Sequence, residues 1–184
     1  MHFSYDSECA KKLNLEDKIA TLEKTLNSWK RRKLTLIGKI HIVKTLGLSK
    51  LIHSASVLAM SKHTVERINK IIYNFLWDGK PAKIKRKTII VEKKHGGLKM
   101  IDFVIMEQSL KLAWIKRIAE NNHTAWKIIP EQALSQYGGF AFFTQCQYDI
   151  NFCDLQNLPE FNRTILSYWQ YFKLLTDVEK AAQN

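Results

Sequence analysis

The side chains of this sequence with the clearest chemistry are basic, and they are concentrated in two short windows. Residues 28–50 contain seven Lys or Arg residues and no acidic residue, and residues 80–99 contain eight against Glu92 alone. Each window therefore carries +7, although the whole chain carries only +12. Segregated positive charge favours a polyanionic partner, because each neutralised phosphate releases condensed counterions. Two solvated surfaces without a partner are the alternative interpretation of this pattern.

Side chains suited to other chemistry are few and dispersed. The cysteines Cys9, Cys146 and Cys153 lack the close spacing of a zinc site, so we expect reduced thiols and no metal. Metal-dependent polymerases need converging carboxylates, yet the adjacent acidic pair is Glu16 and Asp17, at a predicted helix start. No Ser-His-Asp arrangement and no phosphate-binding glycine-rich motif is recognisable. We therefore expect no catalytic residue, no cofactor and no enzymatic activity of this chain alone.

The composition predicts a globular, mostly helical protein. Hydrophobic residues make up 46% of the 184 residues, whereas seven Gly and three Pro are too few for the frequent turns of an all-β fold. The longest uncharged run, residues 51–61, is too short to cross a bilayer, and the amino terminus lacks the apolar core of a secretory signal. We therefore expect a soluble intracellular protein with no membrane partner, in the nucleus or the cytoplasm.

Apolar residues at alternating spacings of three and four predict four helices in the first 120 residues. These helices are expected to start near Asn14, Thr35, Ser61 and Asp102. Gly47 should weaken or bend the second helix. The first helix carries its apolar seam at Leu15, Ile19, Leu22, Leu26 and Trp29. Because such seams are buried against one another, the pattern predicts a helical bundle.

Residues 80–99 interrupt this helical periodicity. The segment is basic, and its β-branched residues at 88–91 predict a short extended run. Gly96 and Gly97 predict a tight turn, since glycine adopts backbone conformations that other residues avoid. The sequence therefore predicts a basic, partly extended connector between the third and fourth helices.

Residues 121–184 predict a smaller helical segment. We expect a short helix, an aromatic and irregular stretch at 138–158, and a last helix that starts at Pro159. The predicted fold class is therefore all-α. It is a helical bundle with one domain at 1–120 and a carboxy-terminal helical extension at 121–184.

Three stretches of the chain resemble the reverse transcriptases of LINE-type (non-LTR) retrotransposons. They read LNSWKRRKLTLIGKIHIVKTLGLSKLIHSASVL, INKIIYNFLWDGKPAKIKRKTIIVEKKHGGLKMIDF and SLKLAWIKRI. The most specific patterns are R-x-L-x-L-x-G-K-I from Arg32 and F-x-W-x-G-K from Phe75. The resemblance covers the region just after the palm, namely the thumb and the start of the carboxy-terminal portion. It extends weakly to Leu158, Phe161 and Trp169.

The resemblance implies a role in RNA-directed DNA synthesis, with a helical thumb that grips the template–primer duplex behind the active site. The fingers and the palm of the family would lie upstream of Met1, so the chain resembles a carboxy-terminal fragment of such a polymerase. The implied partners are RNA, DNA or an RNA–DNA hybrid, and the missing palm in trans. The residues expected to contact backbone phosphates are Lys30, Arg31, Arg32, Lys33, Lys39, Lys44, Lys83, Lys85, Arg86 and Lys87.

Two further interpretations stay open at this point. The chain is alternatively a protein-interaction module or a self-associating remnant with no nucleic-acid role, because the apolar face that a thumb packs on its palm would lack that partner. Trp77, beside Gly79 and Lys80, is suited to stack on a base, although a core tryptophan at the end of the third helix is the simpler interpretation.

Overall fold

The described part of the chain consists of helices and the turns between them. The computed structural model describes residues 7–120, 124–145 and 158–182, and no strand forms within these ranges. The α-helices are α1 (Ser7–Lys30), α2 (Leu36–Ile42), α3 (Ser49–Val57), α4 (Lys62–Leu76), α5 (Arg86–Ile90), α6 (Phe103–Ala119), α7 (Ile128–Ser135), α8 (Gly139–Gln145) and α9 (Glu160–Ala182). None of these described helices is long and apolar enough to span a membrane. The predicted all-α fold class is confirmed.

The chain forms two compact units, Met1–Glu107 and Gln108–Asn184. The division falls inside α6, earlier in the chain than the boundary after residue 120 that the sequence indicates, and that boundary stays a prediction. Both basic windows belong to the amino-terminal unit. The geometry of this unit therefore decides how their charges are arranged.

Helix α1 contacts α3, α4 and the turn between α2 and α3. The four aliphatic residues of its predicted seam are buried, and Trp29 is half-buried. The predicted helix start at Asn14 is wrong, because α1 begins at Ser7. No Gly or Pro interrupts the residues between these two positions, so the helix continues through them. The carbonyl of Asn14 instead accepts a hydrogen bond of 3.4 Å from Ser54 Oγ on α3.

The second predicted helix is divided by a π-helical turn. Thr35 caps α2, and its Oγ1 accepts a hydrogen bond of 3.2 Å from the amide of Gly38. The π-helical turn follows at Val43–Gly47, before α3. A methyl group on Gly47 would lie 3.1 Å from Cδ1 of Leu22 on α1. The bend predicted at Gly47 therefore has a packing cause, because the missing side chain lets the turn approach α1.

Helices α4 and α6 begin at their predicted caps. The side-chain oxygens of Ser61 and Asp102 each accept a hydrogen bond from an amide in the first turn of the helix, at 3.2 Å and 2.9 Å. Helix α4 ends at Leu76, where the chain turns through Asp78 and Gly79 with φ values of 54° and 76°. The predicted turn after the third helix is therefore confirmed.

The connector at 80–99 is more helical than its sequence predicts. Residues 88–90 of the β-branched run expected to be extended instead lie in α5, which ends before Val91, and a 3₁₀ turn follows at Lys93–His95. The carbonyl of the buried Ile89 accepts hydrogen bonds from the amides of Leu98 and Met100, at 3.2 Å and 2.9 Å. Burial of Ile89 and these returning hydrogen bonds outweigh the extended preference of β-branched residues.

Gly96 and Gly97, near the end of the connector, are required for different structural reasons. Gly96 has a φ of 81°, in the left-handed region that disfavours a side chain. A methyl group on Gly97 would lie 1.9 Å from the carbonyl oxygen of Val91, so two backbone segments pass directly over each other there. The predicted tight turn is confirmed, and Gly97 is needed for close approach rather than for conformation.

The carboxy-terminal unit has a small core of its own. Its buried cluster consists of Leu134, Phe143, Leu158 and Leu166. Helix α8 occupies residues that the sequence assigns to the irregular stretch, so that part of the prediction is wrong. The fully buried Phe143 gives α8 its packed face. Residues 146–157 of the stretch lie outside the described residues, and α9 begins directly after Pro159 as expected.

Candidate nucleic-acid interface

The turn that ends α4 brings together basic side chains from two other helices. Lys30 lies in the last turn of α1, and a methyl group on Gly79 would lie 4.0 Å from its Nζ. Lys39 of α2 reaches the same turn, where its Nζ donates to Asp78 Oδ2 at 2.6 Å and to the carbonyl of Leu76 at 3.4 Å. The fold therefore places the ends of α1 and α4 side by side.

Lys39 differs from the other predicted phosphate contacts because its ammonium is buried. Its side chain is 7% exposed, and it forms an ion pair with Asp78. A cation near the last carbonyls of a helix is favoured by the helix dipole, which explains the position of Lys39 at the end of α4. Lys39 therefore stabilises the helices that carry the candidate interface, and its ammonium is not part of the exposed surface.

The turn between α1 and α2 exposes three further cations. Arg31, Arg32 and Lys33 are all exposed, and none forms an ion pair within the part of the chain that the structure describes. The guanidinium of Arg32 lies 4.1 Å from the ring centre of Trp29. Stacking orients the guanidinium while its edge N–H groups stay available to a phosphate.

The two basic windows meet at Lys44. This residue lies in the π-helical turn, and its Nζ donates a hydrogen bond to the carbonyl oxygen of Lys99 in the connector. Burial lowers the pKa of Lys44, and the positive charges of Lys99 and Lys93 lower it further. Lys99 itself has a φ of 51°, which is uncommon for a residue with a side chain. The fold therefore brings Lys93 and Lys99 close enough to Lys44 for their charges to disfavour its protonated form.

Lys93 and Lys99 are members of this cluster that sequence reasoning did not single out. Both are counted in the charge of the second window, but no spacing rule relates them to Lys44, and 55 residues separate Lys44 from Lys99. The sequence feature that points to Lys93 and Lys99 is the high positive charge of the second window as a whole. The fold supplies the missing information, namely which basic residues of one window face those of the other.

The connector presents exposed cations and one that is anchored. All lysines of the connector are exposed, among them Lys83, Lys85 and Lys87. Arg86, in contrast, lies 4.6 Å from the ring centre of Tyr73 and pairs with Asp102, with N–O distances of 3.2 and 3.3 Å. Burial raises the pKa of Tyr73, an effect that the charge of Arg86 opposes. Arg86 therefore attaches α5 to α4 and to the start of α6.

Few charges of the two windows are neutralised by carboxylates of the described residues. The ion pairs found there are Lys39–Asp78, Arg86–Asp102 and Lys94–Glu92. The other cations of the windows have no such partner in the described ranges, so the positive potential of this unit is largely uncompensated. A surface with uncompensated charge of one sign attracts a partner of the opposite sign.

The residues considered for metal binding do not form a site within the described ranges. No group of three or more His, Cys, Asp or Glu side chains lies close enough there to hold a metal ion. Glu16 and Asp17 lie inside α1 rather than in its first turn. Glu16 pairs with Arg67 of α4 at 2.7 Å, so it links two helices. Cys146 and Cys153 lie outside the described residues.

The lowered pKa of Lys44 yields a testable prediction. In the double variant Lys93→Gln and Lys99→Gln, we expect the pKa of Lys44 to rise towards its ordinary value of 10.5 without reaching it, because burial remains the largest cause of the shift. Nuclear magnetic resonance of the Lys44 side chain measures this titration.

The same shift predicts how stability depends on pH. The folded state binds the Lys44 proton less tightly than the unfolded state, so stability should increase as pH rises from the folded pKa to 10.5. This increase should be smaller in the double variant. Lys50→Gln, on α3, is the control and should leave the pKa of Lys44 unchanged. An unchanged pKa in the double variant would contradict the proximity of the three ammonium groups.

Comparison with known proteins gives one distant similarity. A curated protein of Arabidopsis thaliana, named "Putative ribonuclease H protein At1g65750", is 22% identical to this chain over 111 residues. The match covers 56% of this chain and 18% of that protein, so the chain spans less than a fifth of its length. No family model and no solved structure matches the chain.

Proposed function

We propose that the chain is a helical nucleic-acid-binding region of the thumb type found in non-LTR reverse transcriptases. It binds a template–primer duplex through backbone phosphates and performs no chemistry alone. The observation that carries the proposal is the meeting of both basic windows at Lys44, next to Lys93 and Lys99. These three charges repel one another in the free protein, and a bound phosphate strand would remove that repulsion.

The contacts in this proposal are ten exposed or half-buried cations of the two basic windows. They are Lys30, Arg31, Arg32, Lys33, Lys44, Lys83, Lys85, Lys87, Lys93 and Lys99. Lys39 supports them from behind, because it is buried against Asp78, and Arg86, although exposed, is held in place by Asp102. Lysine and arginine contacts of this kind recognise phosphates and the shape of the duplex rather than base sequence. We therefore expect weak sequence preference.

Two similarities support a nucleic-acid partner. The plant protein is named as a ribonuclease H protein, and that name denotes an enzyme that acts on nucleic acid. The residues that resemble non-LTR reverse transcriptases include all ten cationic contacts. In this proposal the converging carboxylates of the polymerase belong to a palm that acts in trans or precedes this region.

The salt dependence of binding tests the proposal. Affinity of the chain for a blunt RNA–DNA hybrid is measured by fluorescence anisotropy at several salt concentrations. Each phosphate contact contributes a slope of about −0.9 to a plot of log K against log salt, so the predicted slope lies between about −5, if about six of the ten cations engage phosphates at once, and about −9 if all do. Two hybrids of unrelated sequence should give similar affinities. A flat plot, or no binding at low salt, would contradict the proposal.

A protein-interaction role is a second candidate, favoured by the aromatic residues of α9. Tyr171 and Phe172 are 56% and 44% exposed, and the ring of Phe172 stacks on Trp169 with centroids 5.8 Å apart. Single exposed apolar residues are normal on protein surfaces, so this observation is weaker than the uncompensated charge. Flat salt dependence together with self-association in light scattering would favour this role over nucleic-acid binding.

A further inference from the structure

A groove of about 600 Å³ lies in the amino-terminal unit, beside the turn that ends α4. Its walls come from α1, from α4 and from that turn. The lining includes Phe75, Trp77, Gly79 and Lys80, which together form the F-x-W-x-G-K pattern of the sequence. Grooves of this volume accommodate small ligands. The F-x-W-x-G-K pattern, which the duplex interface does not explain, therefore lines a groove large enough for a small ligand.

Two aromatic side chains of the groove carry buried polar atoms. Tyr73 Oη and Trp77 Nε1 are both buried; the indole nitrogen has no hydrogen-bond partner among the described residues, whereas the guanidinium of Arg86 engages the hydroxyl of Tyr73. A buried donor without an acceptor is unfavourable and is rare in native structures. Trp77 thus combines a flat apolar surface with a donor that lacks an acceptor in the described part of the unit.

The groove is bordered by more positive than negative charge. Lys70 and Lys80 line it and are exposed, and the Nζ of Lys30 lies beside the turn at its edge. Glu23 is a carboxylate of the lining, whereas Arg67 in the same wall is already paired with Glu16 of α1. The uncompensated lysines favour an anionic ligand.

We propose that this groove binds one unstacked nucleotide, with its base against Trp77 and Tyr73 and its phosphate at the lysines of the rim. A nucleobase has flat faces for stacking and edge acceptors for the indole and phenol donors. The side-chain amides of Asn27 and Asn74 add donors and acceptors for the base edge. The inference rests on the proposed function, because it takes this nucleotide to be the unpaired end of a bound strand.

The indole N–H resonance of Trp77 gives a direct test with free nucleotide. It is assigned as the signal that is missing from the nuclear magnetic resonance spectrum of Trp77→Phe. Adenosine 5′-monophosphate is expected to shift this resonance, whereas ribose 5-phosphate, which lacks the base, should leave it in place. An unmoved resonance, or equal shifts with both compounds, would contradict the assigned position of the base.

A second test uses a strand end. A hybrid with a short single-stranded 3′ extension is expected to bind roughly ten-fold more tightly than the blunt hybrid, because one unpaired base stacks in the groove. Trp77→Leu should abolish this advantage and leave blunt-hybrid affinity unchanged. Lys80→Gln, at an exposed position, should reduce the advantage and keeps the test valid if Trp77→Leu does not fold. Trp126→Phe, in the carboxy-terminal unit, is the matched control and should retain it.

The two tests separate this inference from the proposed function. Steep salt-dependent binding of the blunt hybrid, with no gain from the extension and no shift at Trp77, would overturn the groove site and leave the duplex interface standing. A shift at Trp77 with adenosine 5′-monophosphate, without any binding of the hybrids, would support a site for free nucleotide and overturn the duplex interface. Failure of both tests would overturn both proposals.

Discussion

Simultaneous replacement of Lys44, Lys93 and Lys99 by Gln is expected to weaken binding of a blunt RNA–DNA hybrid on the order of 10²-fold at about 0.1 M salt. Each lost phosphate contact removes about 0.9 from the slope of log K against log salt, so the slope should flatten by between about two and three. The effect is large for three residues because they form the point where the two basic windows meet. Anisotropy titrations across a salt series measure both quantities.

The control for this variant removes the same net charge from another surface. Lys18, Lys24 and Lys62 are exposed and lie outside both basic windows. Their joint replacement by Gln should change the salt slope by much less than the replacement of the cluster. Equal losses in the two triple variants would show that only net charge matters, and would contradict a defined interface at Lys44.

Stability measurements separate lost contacts from lost structure in the cluster variant. The three ammonium groups repel one another, and burial already disfavours the charged form of Lys44. Their removal should therefore leave the melting temperature unchanged or raise it slightly. Weaker binding by an equally stable protein is the signature of a functional cluster, because positions kept for binding often oppose stability. A clear drop in melting temperature would instead show that the three lysines stabilise the fold, and the loss of binding would then reflect lost structure.

The substitution Gly97→Ala is expected to be the most destabilising single change in the connector, at about 2–4 kcal/mol. The added methyl group would lie 1.9 Å from the carbonyl oxygen of Val91 and 2.7 Å from its Cβ. Backbone atoms, not the end of a flexible side chain, block the position, so the two segments must separate. Urea denaturation followed by circular dichroism measures the free energy of unfolding.

Gly96→Ala is the matched control for this clash. Gly96 is the neighbouring residue, and an added methyl group there meets no atom within 4 Å. Its φ of 81° makes the substitution cost only the conformational strain of a left-handed residue, about 1 kcal/mol. Equal destabilisation by the two substitutions would contradict the close approach at Gly97.

The clash that Gly97→Ala introduces should also disturb the candidate nucleic-acid interface. The segment that Gly97 closes carries Lys93, and Lys99 follows two residues later, with its amide bonded to the carbonyl of Val91 at 2.8 Å. Displacement of this segment moves Lys93 and Lys99, the two cations whose charges act on Lys44. We therefore expect Gly97→Ala to weaken hybrid binding in buffer where the protein stays folded, whereas Gly96→Ala should have a smaller effect.

Local sequence patterns were sufficient for several helical elements, although not for α5 and α8. The seam of α1, the caps at Thr35, Ser61 and Asp102, and the turn at Asp78 follow from periodicity and from residues that act within a few positions of themselves. Such features depend on neighbours along the chain, so the chain itself contains the information. Asn14 marks the limit of this reasoning, because a good cap residue is not used where the preceding residues continue the helix.

The sequence by itself determined an all-α protein with a large positive charge confined to two windows, because composition and periodicity are properties of the chain. Tertiary structure alone decided which of those charges face one another, since electrostatic interactions depend on distance in space. It buried Lys39 against Asp78, placed Lys93 and Lys99 beside Lys44, and made Gly97 indispensable where two backbones approach. It also assembled the groove at Trp77 from α1 and α4, whose residues are far apart in the chain.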